Sequence, residues 1–138
     1  MATTSDVLRS VPLFSGMTDR SIDTIAQLAS ETRFPAGTVL AREGEPGSSF
    51  VVIRSGAASV EQGGAPLRPL GAGDYFGEIA LIDGGVRTAT VTATEPVDAV
   101  VIERDGFERL MRDFPAIRVE LLGALTQRLR QRVAQPRD

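Results

Sequence analysis

The stretch Gly71–Val91, GAGDYFGEIALIDGGVRTATV, decides how the rest of the chain is read. A glycine-rich entry leads into Phe76-Gly77-Glu78-Ile79-Ala80-Leu81, then a short loop, then Arg87-Thr88-Ala89. The first part has the pattern of a strand end running into one helical turn, and the last part that of a new strand. Backbone N–H groups at the start of a helical turn have no partner within the helix. Those of Gly77 to Ala80 therefore make a candidate cradle for an anion. Arg87 would add a planar fork of donors matched to a phosphate. Glu78 would accept a hydrogen bond from a sugar hydroxyl. Gly77 and Ala80 count by being small, because larger side chains would hold an anion away from the N–H groups. The plainer readings are a surface arginine at a loop end for Arg87 and a carboxylate suited to a helix start for Glu78. For Tyr75, Phe76 and Ile79 the plainer reading is core, and for Asp83 a solvated loop position.

Outward from this segment the pattern divides the chain into three. Ser5 or Thr4 is read as the cap of a short helix, Asp6 to Val11, broken by Pro12-Leu13-Phe14-Ser15-Gly16. Thr18 caps a second helix with Asp19 in its first turn and Ile22, Ile25, Ala26 and Ala29 on one face. From Thr32 to about Glu103 short apolar runs recur between glycines and prolines, as in Phe50-Val51-Val52-Ile53. Ala89, Val91 and Ala93 alternate with Thr88, Thr90, Thr92 and Thr94, the mark of a half-buried strand, and Val97 to Ile102 makes a last apolar one. Many short strands at close spacing predict a sandwich, barrel or double-sheet jelly roll. Asp105 is read as the cap of a helix from Gly106 to about Asp113, and Pro115 suits the first turn of another. Ile117, Leu121, Leu122, Leu125, Leu129 and Val133 recur at helical spacing, with Arg118, Arg128, Arg130 and Arg132 on other faces.

Composition narrows the chemistry. The 138 residues suffice for one domain with its own core, and they include no Cys, His, Trp, Asn or Lys. Without His or Cys there is no Ser-His-Asp triad, no imidazole or thiolate metal site and no disulfide. Without Lys there is no Schiff-base chemistry and no Walker-type phosphate site. All fifteen basic residues are Arg, which fits a GC-rich bacterial genome. The net charge of −3 provides no global field for nucleic acid or anionic lipid. No apolar run approaches a membrane span, and the start MATTSDVLRS lacks the features of a signal peptide, so a cytoplasmic location is expected.

The run Phe76-Gly77-Glu78-Ile79-Ala80-Leu81 joined by a short loop to Arg87-Thr88-Ala89 resembles the phosphate-binding cassette of cyclic nucleotide-binding domains. That family includes the bacterial catabolite activator protein, the regulatory subunits of cyclic AMP-dependent protein kinase, and cyclic nucleotide-gated channels. Gly37-Thr38-Val39-Leu40, Glu43-Gly44, Phe50-Val51-Val52-Ile53 and Gly56 are similar to the family's early strands and turns, so the resemblance covers nearly the whole chain. Val86 departs from it, since many members carry Pro before the Arg. The resemblance implies a mainly β fold with flanking helices. N-terminal helices (1–30) would precede a double-sheet β-roll (31–104) that holds the cassette (71–91). Hinge and lid helices (105–135) would follow, all within a single domain spanning 1–138.

It also implies a ligand, cyclic AMP in the first place and cyclic GMP in the second. The ligand would lie on Phe76, Gly77, Glu78, Ile79, Ala80, Arg87, Thr88 and Ala89. Glu78 would accept the ribose 2′-hydroxyl and Arg87 would hold the phosphate. Thr88 has two readings, an ordinary strand-face threonine and a contact to phosphate or purine. The lid candidates are Leu125, Arg128, Leu129 and Arg132, with Arg128 or Arg132 able to stack on the purine. The expected function is a non-catalytic sensor or regulatory module with no metal and no cofactor beyond its ligand. It would act on an effector domain or protein not evident in the sequence, without nucleic acid or membrane. The alternative is a nucleotide-independent interaction module, with the C-terminal helix as a homodimer or partner surface. A cupin-type enzyme on the same scaffold fails for want of His. A whole transcription regulator would need a helix-turn-helix past residue 138 and a basic recognition face.

Overall fold

The computed structural model describes residues 3–77 and 86–134, without the side chains of Leu125 and of residues 127–134. Two short helices open the chain, α1 (Thr4–Arg9) and α2 (Asp19–Leu28). Among the described residues eight strands follow: β1 (Ser30–Phe34), β2 (Val39–Ala41), β3 (Ser49–Ser55), β4 (Ala58–Gln62), β5 (Ala65–Leu70), β6 (Tyr75–Phe76), β7 (Thr90–Ala93) and β8 (Val97–Glu103). Two helices close it, α3 (Arg104–Asp113) and α4 (Pro115–Ala134). The strands form two four-stranded antiparallel sheets, ordered β1-β8-β3-β6 and β2-β7-β4-β5. The expected double-sheet β-roll with flanking helices is the fold observed.

The apolar runs explain how the layers stack. In a strand successive side chains point to opposite faces. Phe50 and Val52 of β3, with Val100 and Ile102 of β8, face a core built with Leu8, Phe14, Ile22, Ile25, Phe107, Leu110, Ile117 and Leu121 of the helical parts. Val51 and Ile53, with Val97, Ala99 and Val101, face the second sheet and meet Ala41, Ala58, Val60, Leu70, Val91 and Ala93. The central β3–β8 pair is thus buried on both faces, which is why its sequence is apolar without alternation. β7 borders solvent on one side and keeps the alternation, with Val91 and Ala93 buried and its threonines half-buried. Phe50 is the hinge pin of the helix-side core, edge-on to Phe14 at 5.7 Å and tilted against Tyr75 at 5.8 Å.

Caps set the helix starts, and here the sequence reading shifts. α1 begins earlier than expected: Thr3, not Thr4 or Ser5, caps it. Its Oγ1 accepts from Asp6 N at 3.1 Å while Asp6 Oδ2 accepts from Thr3 N at 3.1 Å, a reciprocal capping box. Thr18 caps α2 as expected, accepting from Ser21 N at 3.2 Å, but Ala29 lies just past the helix in extended geometry. α3 starts at Arg104 with Glu103 as N-cap, so Asp105 sits inside the first turn. No side chain caps that start. Instead the Arg104 N–H donates to the Ser48 carbonyl at 2.8 Å, a tertiary tie that local sequence does not reveal. Ile117 and Leu121 are buried as the helical spacing predicts, whereas Leu122 is exposed. Among the described residues no helix is long and apolar enough to cross a membrane.

Candidate functional site

β6 is the edge strand of one sheet and β7 an inner strand of the other. Gly77 follows β6 directly, and Arg87 stands three residues ahead of β7. The backbone of Arg87 is pinned by the β2–β3 connection: its N–H donates to the Glu45 carbonyl at 2.7 Å, and the Gly44 N–H donates to the Arg87 carbonyl at 2.8 Å. Pro46 and Val86 form an isolated antiparallel bridge beside them.

The Arg87 side chain turns inward rather than out to solvent, leaving the residue only 9 % exposed. Nη2 donates to the Ser49 carbonyl at 2.7 Å and reaches Ser49 Oγ at 3.5 Å. The guanidinium carbon lies 5.8 Å from the centre of the Phe76 ring, within cation–π range. Among the described residues no carboxylate pairs with it. Burial pushes its pKa below the usual arginine value, because desolvation penalises the charged form. An arginine stays protonated regardless. Among the described residues the fold thus meets this desolvated positive charge with one carbonyl, a hydroxyl and a ring face.

Gly77 makes this arrangement sterically feasible. Its φ is +92°, and a Cβ built there would run into Arg87 Nη1 and the Ser49 carbonyl oxygen. The sequence reading required smallness here for the sake of an incoming anion. The closest neighbours are instead the guanidinium itself and the start of β3.

The other expected site residues distribute as follows. Phe76 is half-buried and packs on the core between the sheets while offering its ring to Arg87, so the core and site readings both hold for it. Ala89 packs on the same core. Thr88 is exposed and lies before β7, so it does not continue the threonine face of that strand. Its carbonyl accepts from Gln62 Nε2 at 3.1 Å. Glu78, Ile79 and Ala80 lie outside the described residues, as do the side chains of Leu125, Arg128, Leu129 and Arg132. Ser49, Glu45 and Gln62 were not foreseen, and Glu43-Gly44 entered the sequence reading only as a turn similar to the family's, not as a tie to Arg87.

Comparison with known proteins places this geometry in context. The family model described as cyclic nucleotide-binding domain matches residues 31–114. Isozyme 1 of cGMP-dependent protein kinase from Drosophila melanogaster is 36% identical over 136 residues, which is 93% of this chain and 18% of that protein. The regulatory subunit of cAMP-dependent protein kinase from Emericella nidulans is 39% identical over 106 residues, 75% of this chain and 26% of that protein. The chain thus spans between 18% and 26% of the length of these curated relatives. The crystal structure of the N-terminal domain of a transcriptional regulator from Streptomyces coelicolor superposes with a TM-score of 0.86 at 29% identity, covering 96% of this chain and 99% of that one.

Proposed function

The chain belongs to the cyclic nucleotide-binding domain family, and from that premise we propose that it is a non-catalytic sensor for cyclic AMP, with cyclic GMP the weaker ligand. The observation that carries this reading is Arg87, a buried cation that meets no carboxylate among the described residues. A monoanionic cyclic phosphate with two exocyclic oxygens is a complement matched to such a fork. Glu78 holds the ribose 2′-hydroxyl, and Phe76, Gly77, Ile79, Ala80, Thr88 and Ala89 shape the wall of the site. The Emericella relative, a regulatory subunit of cAMP-dependent protein kinase, supports cyclic AMP, and the Drosophila relative, a cGMP-dependent protein kinase, keeps cyclic GMP as the second ligand. Binding shifts α3 and α4, with Leu125, Arg128, Leu129 or Arg132 closing on the purine. The free energy for that shift is the ligand's differential affinity for the two helix positions. The output passes to an effector domain or protein in the cytoplasm, without direct contact to nucleic acid or membrane.

Calorimetric titration of the wild type and Arg87→Ala with both nucleotides tests the assignment. The expected result is tighter binding of cyclic AMP than of cyclic GMP, and a loss of about 2–5 kcal/mol on removing Arg87, the usual cost of unpairing a buried charge. Equal affinity of wild type and variant would overturn the role of Arg87. Failure of the wild type to bind either nucleotide would overturn the sensor reading.

A second reading has one observation in its favour. Phe114, Val119 and Leu122 are 44%, 67% and 47% exposed, an apolar surface on and beside α4 suited to a second copy of the chain. Sedimentation of the wild type and Leu122→Glu distinguishes it, a dimer lost in the variant being the supporting outcome.

A further inference from the structure

Few contacts hold the first half of α4 against α2. Ile117 and Leu121 are its buried apolar residues. The Ser21 hydroxyl donates to Glu120 Oε1 at 3.3 Å, and among the described residues this is the only side-chain hydrogen bond joining α4 to another element. It ends a short relay at the head of α2, where the Thr18 hydroxyl donates to Ser21 Oγ at 3.0 Å and Ser21 N donates to Thr18 Oγ1. Ser21 is buried. Glu120 Oε2 is also buried, yet it has no hydrogen-bond partner among the described residues.

A carboxylate oxygen taken out of water without a donor destabilises the arrangement that puts it there. A methionine of similar length would fill the same space without that penalty. The acid therefore weakens the seat it occupies, and the penalty vanishes when α4 lifts and the carboxylate regains water. Ser21 supplies the opposing element: one directional contact that fixes where on α2 the helix lands.

We infer that Thr18, Ser21 and Glu120 form a release latch, a polar contact that registers α4 on α2 while keeping the seat weak enough for the helix to leave. Its use in sensing rests on the ligand-driven helix shift proposed above, whereas its energetics do not.

Amide hydrogen exchange at residues 116–124 of the ligand-free protein reads the latch directly, because native-state exchange reports local opening. Glu120→Met slows exchange about tenfold, since the unpaired oxygen is gone. Ser21→Ala strands the second oxygen as well and speeds exchange about fivefold. Combined with Glu120→Met, Ser21→Ala changes exchange less than about twofold, because its partner is already absent. Exchange in Glu120→Met as fast as in wild type, or an equal effect of Ser21→Ala in both backgrounds, overturns the latch. A cyclic AMP titration of Glu120→Met then separates the two proposals. An affinity change matching the exchange change supports latch and helix shift together. Slowed exchange with unchanged affinity keeps the latch and overturns its coupling to the ligand.

Discussion

Gly77→Ala tests the site at its tightest point. A Cβ at this position meets Arg87 Nη1 and the Ser49 carbonyl oxygen, and the φ of +92° is one that L side chains rarely adopt. Two costs add. Holding alanine at that φ costs about 1–3 kcal/mol. Displacing the guanidinium breaks the 2.7 Å bond from Nη2 to the Ser49 carbonyl, a charged hydrogen bond worth about 1.5–3 kcal/mol. With the Ser49 carbonyl overlap adding to both, the expected destabilisation is at least about 2.5 kcal/mol. Because the second cost exists only while Arg87 is present, a double-mutant cycle isolates it. Urea unfolding of wild type, Gly77→Ala, Arg87→Ala and the double variant gives the coupling directly. The alanine should be milder in the Arg87→Ala background by about 1.5–3 kcal/mol, leaving only backbone strain and the Ser49 clash. Coupling below about 0.5 kcal/mol would refute the claim that Gly77 is small to admit the guanidinium.

Three further outcomes are expected. Gly56 has φ +101°, and a Cβ there would overlap the Pro96 carbonyl and the Val97 backbone, so Gly56→Ala should cost at least about 2 kcal/mol in urea unfolding; a neutral result would show that the β3–β4 turn yields. Asp6 has its pKa lowered, first by the hydrogen bond from the Thr3 backbone, then by the Thr3 side chain and Arg9. A carboxylate with a depressed folded-state pKa contributes stability above its unfolded pKa and loses it as pH falls through the folded one. NMR titration should thus place Asp6 below the ordinary carboxylate range, and Thr3→Ala, which keeps the backbone donor, should raise it only part of the way back. Arg104→Pro removes the donor to the Ser48 carbonyl at a first helical position that tolerates proline, behind a Glu103 already extended at φ −74° and ψ 149°. Relative to Arg104→Ala, which equally lacks the ion pair to Glu108 at 2.9 Å, it should lose about 0.5–1.5 kcal/mol, and equal stability would dismiss that tie.

The sandwich was legible because its physics is periodic. Two-sided burial writes continuous apolar runs at Phe50–Ile53 and Val97–Ile102, and one-sided burial writes the alternation of β7. Arg87 was legible as a chemical type in a constrained motif. Its inward turn was not, because the acceptor is a main-chain carbonyl 38 residues away and any residue at position 49 would present one. The α3 start depends on Ser48, which no local pattern connects to Glu103, whereas the α1 start was misplaced although its Thr3–Asp6 capping box is local. Thr88 misled because strand parity counts residues without knowing that the ladder begins only at Thr90.

Ser48 and Ser49 join two parts that the sequence keeps far apart. Ser49 gives its carbonyl to Arg87 and pairs in register with Glu103, the N-cap of α3. Its neighbour Ser48 accepts from the first N–H of that same helix. One dipeptide thus fixes the charged end of the site and the entry of the C-terminal helices. An anion drawing Nη2 away from the Ser49 carbonyl would act on the strand end against which α3 begins, with no intervening flexible linker to absorb the motion. β3 and β8 cannot slide to accommodate it, since both faces of that pair are packed. The remaining compliant elements are the helix entry, tied by one main-chain bond and no side-chain cap, and the narrow seat of α4 on α2. Spatial linkage alone does not establish coupling. Arg104→Pro supplies the missing measurement: if this route carries the signal, the exchange response of α4 to cyclic AMP shrinks in that variant while Arg87 still binds.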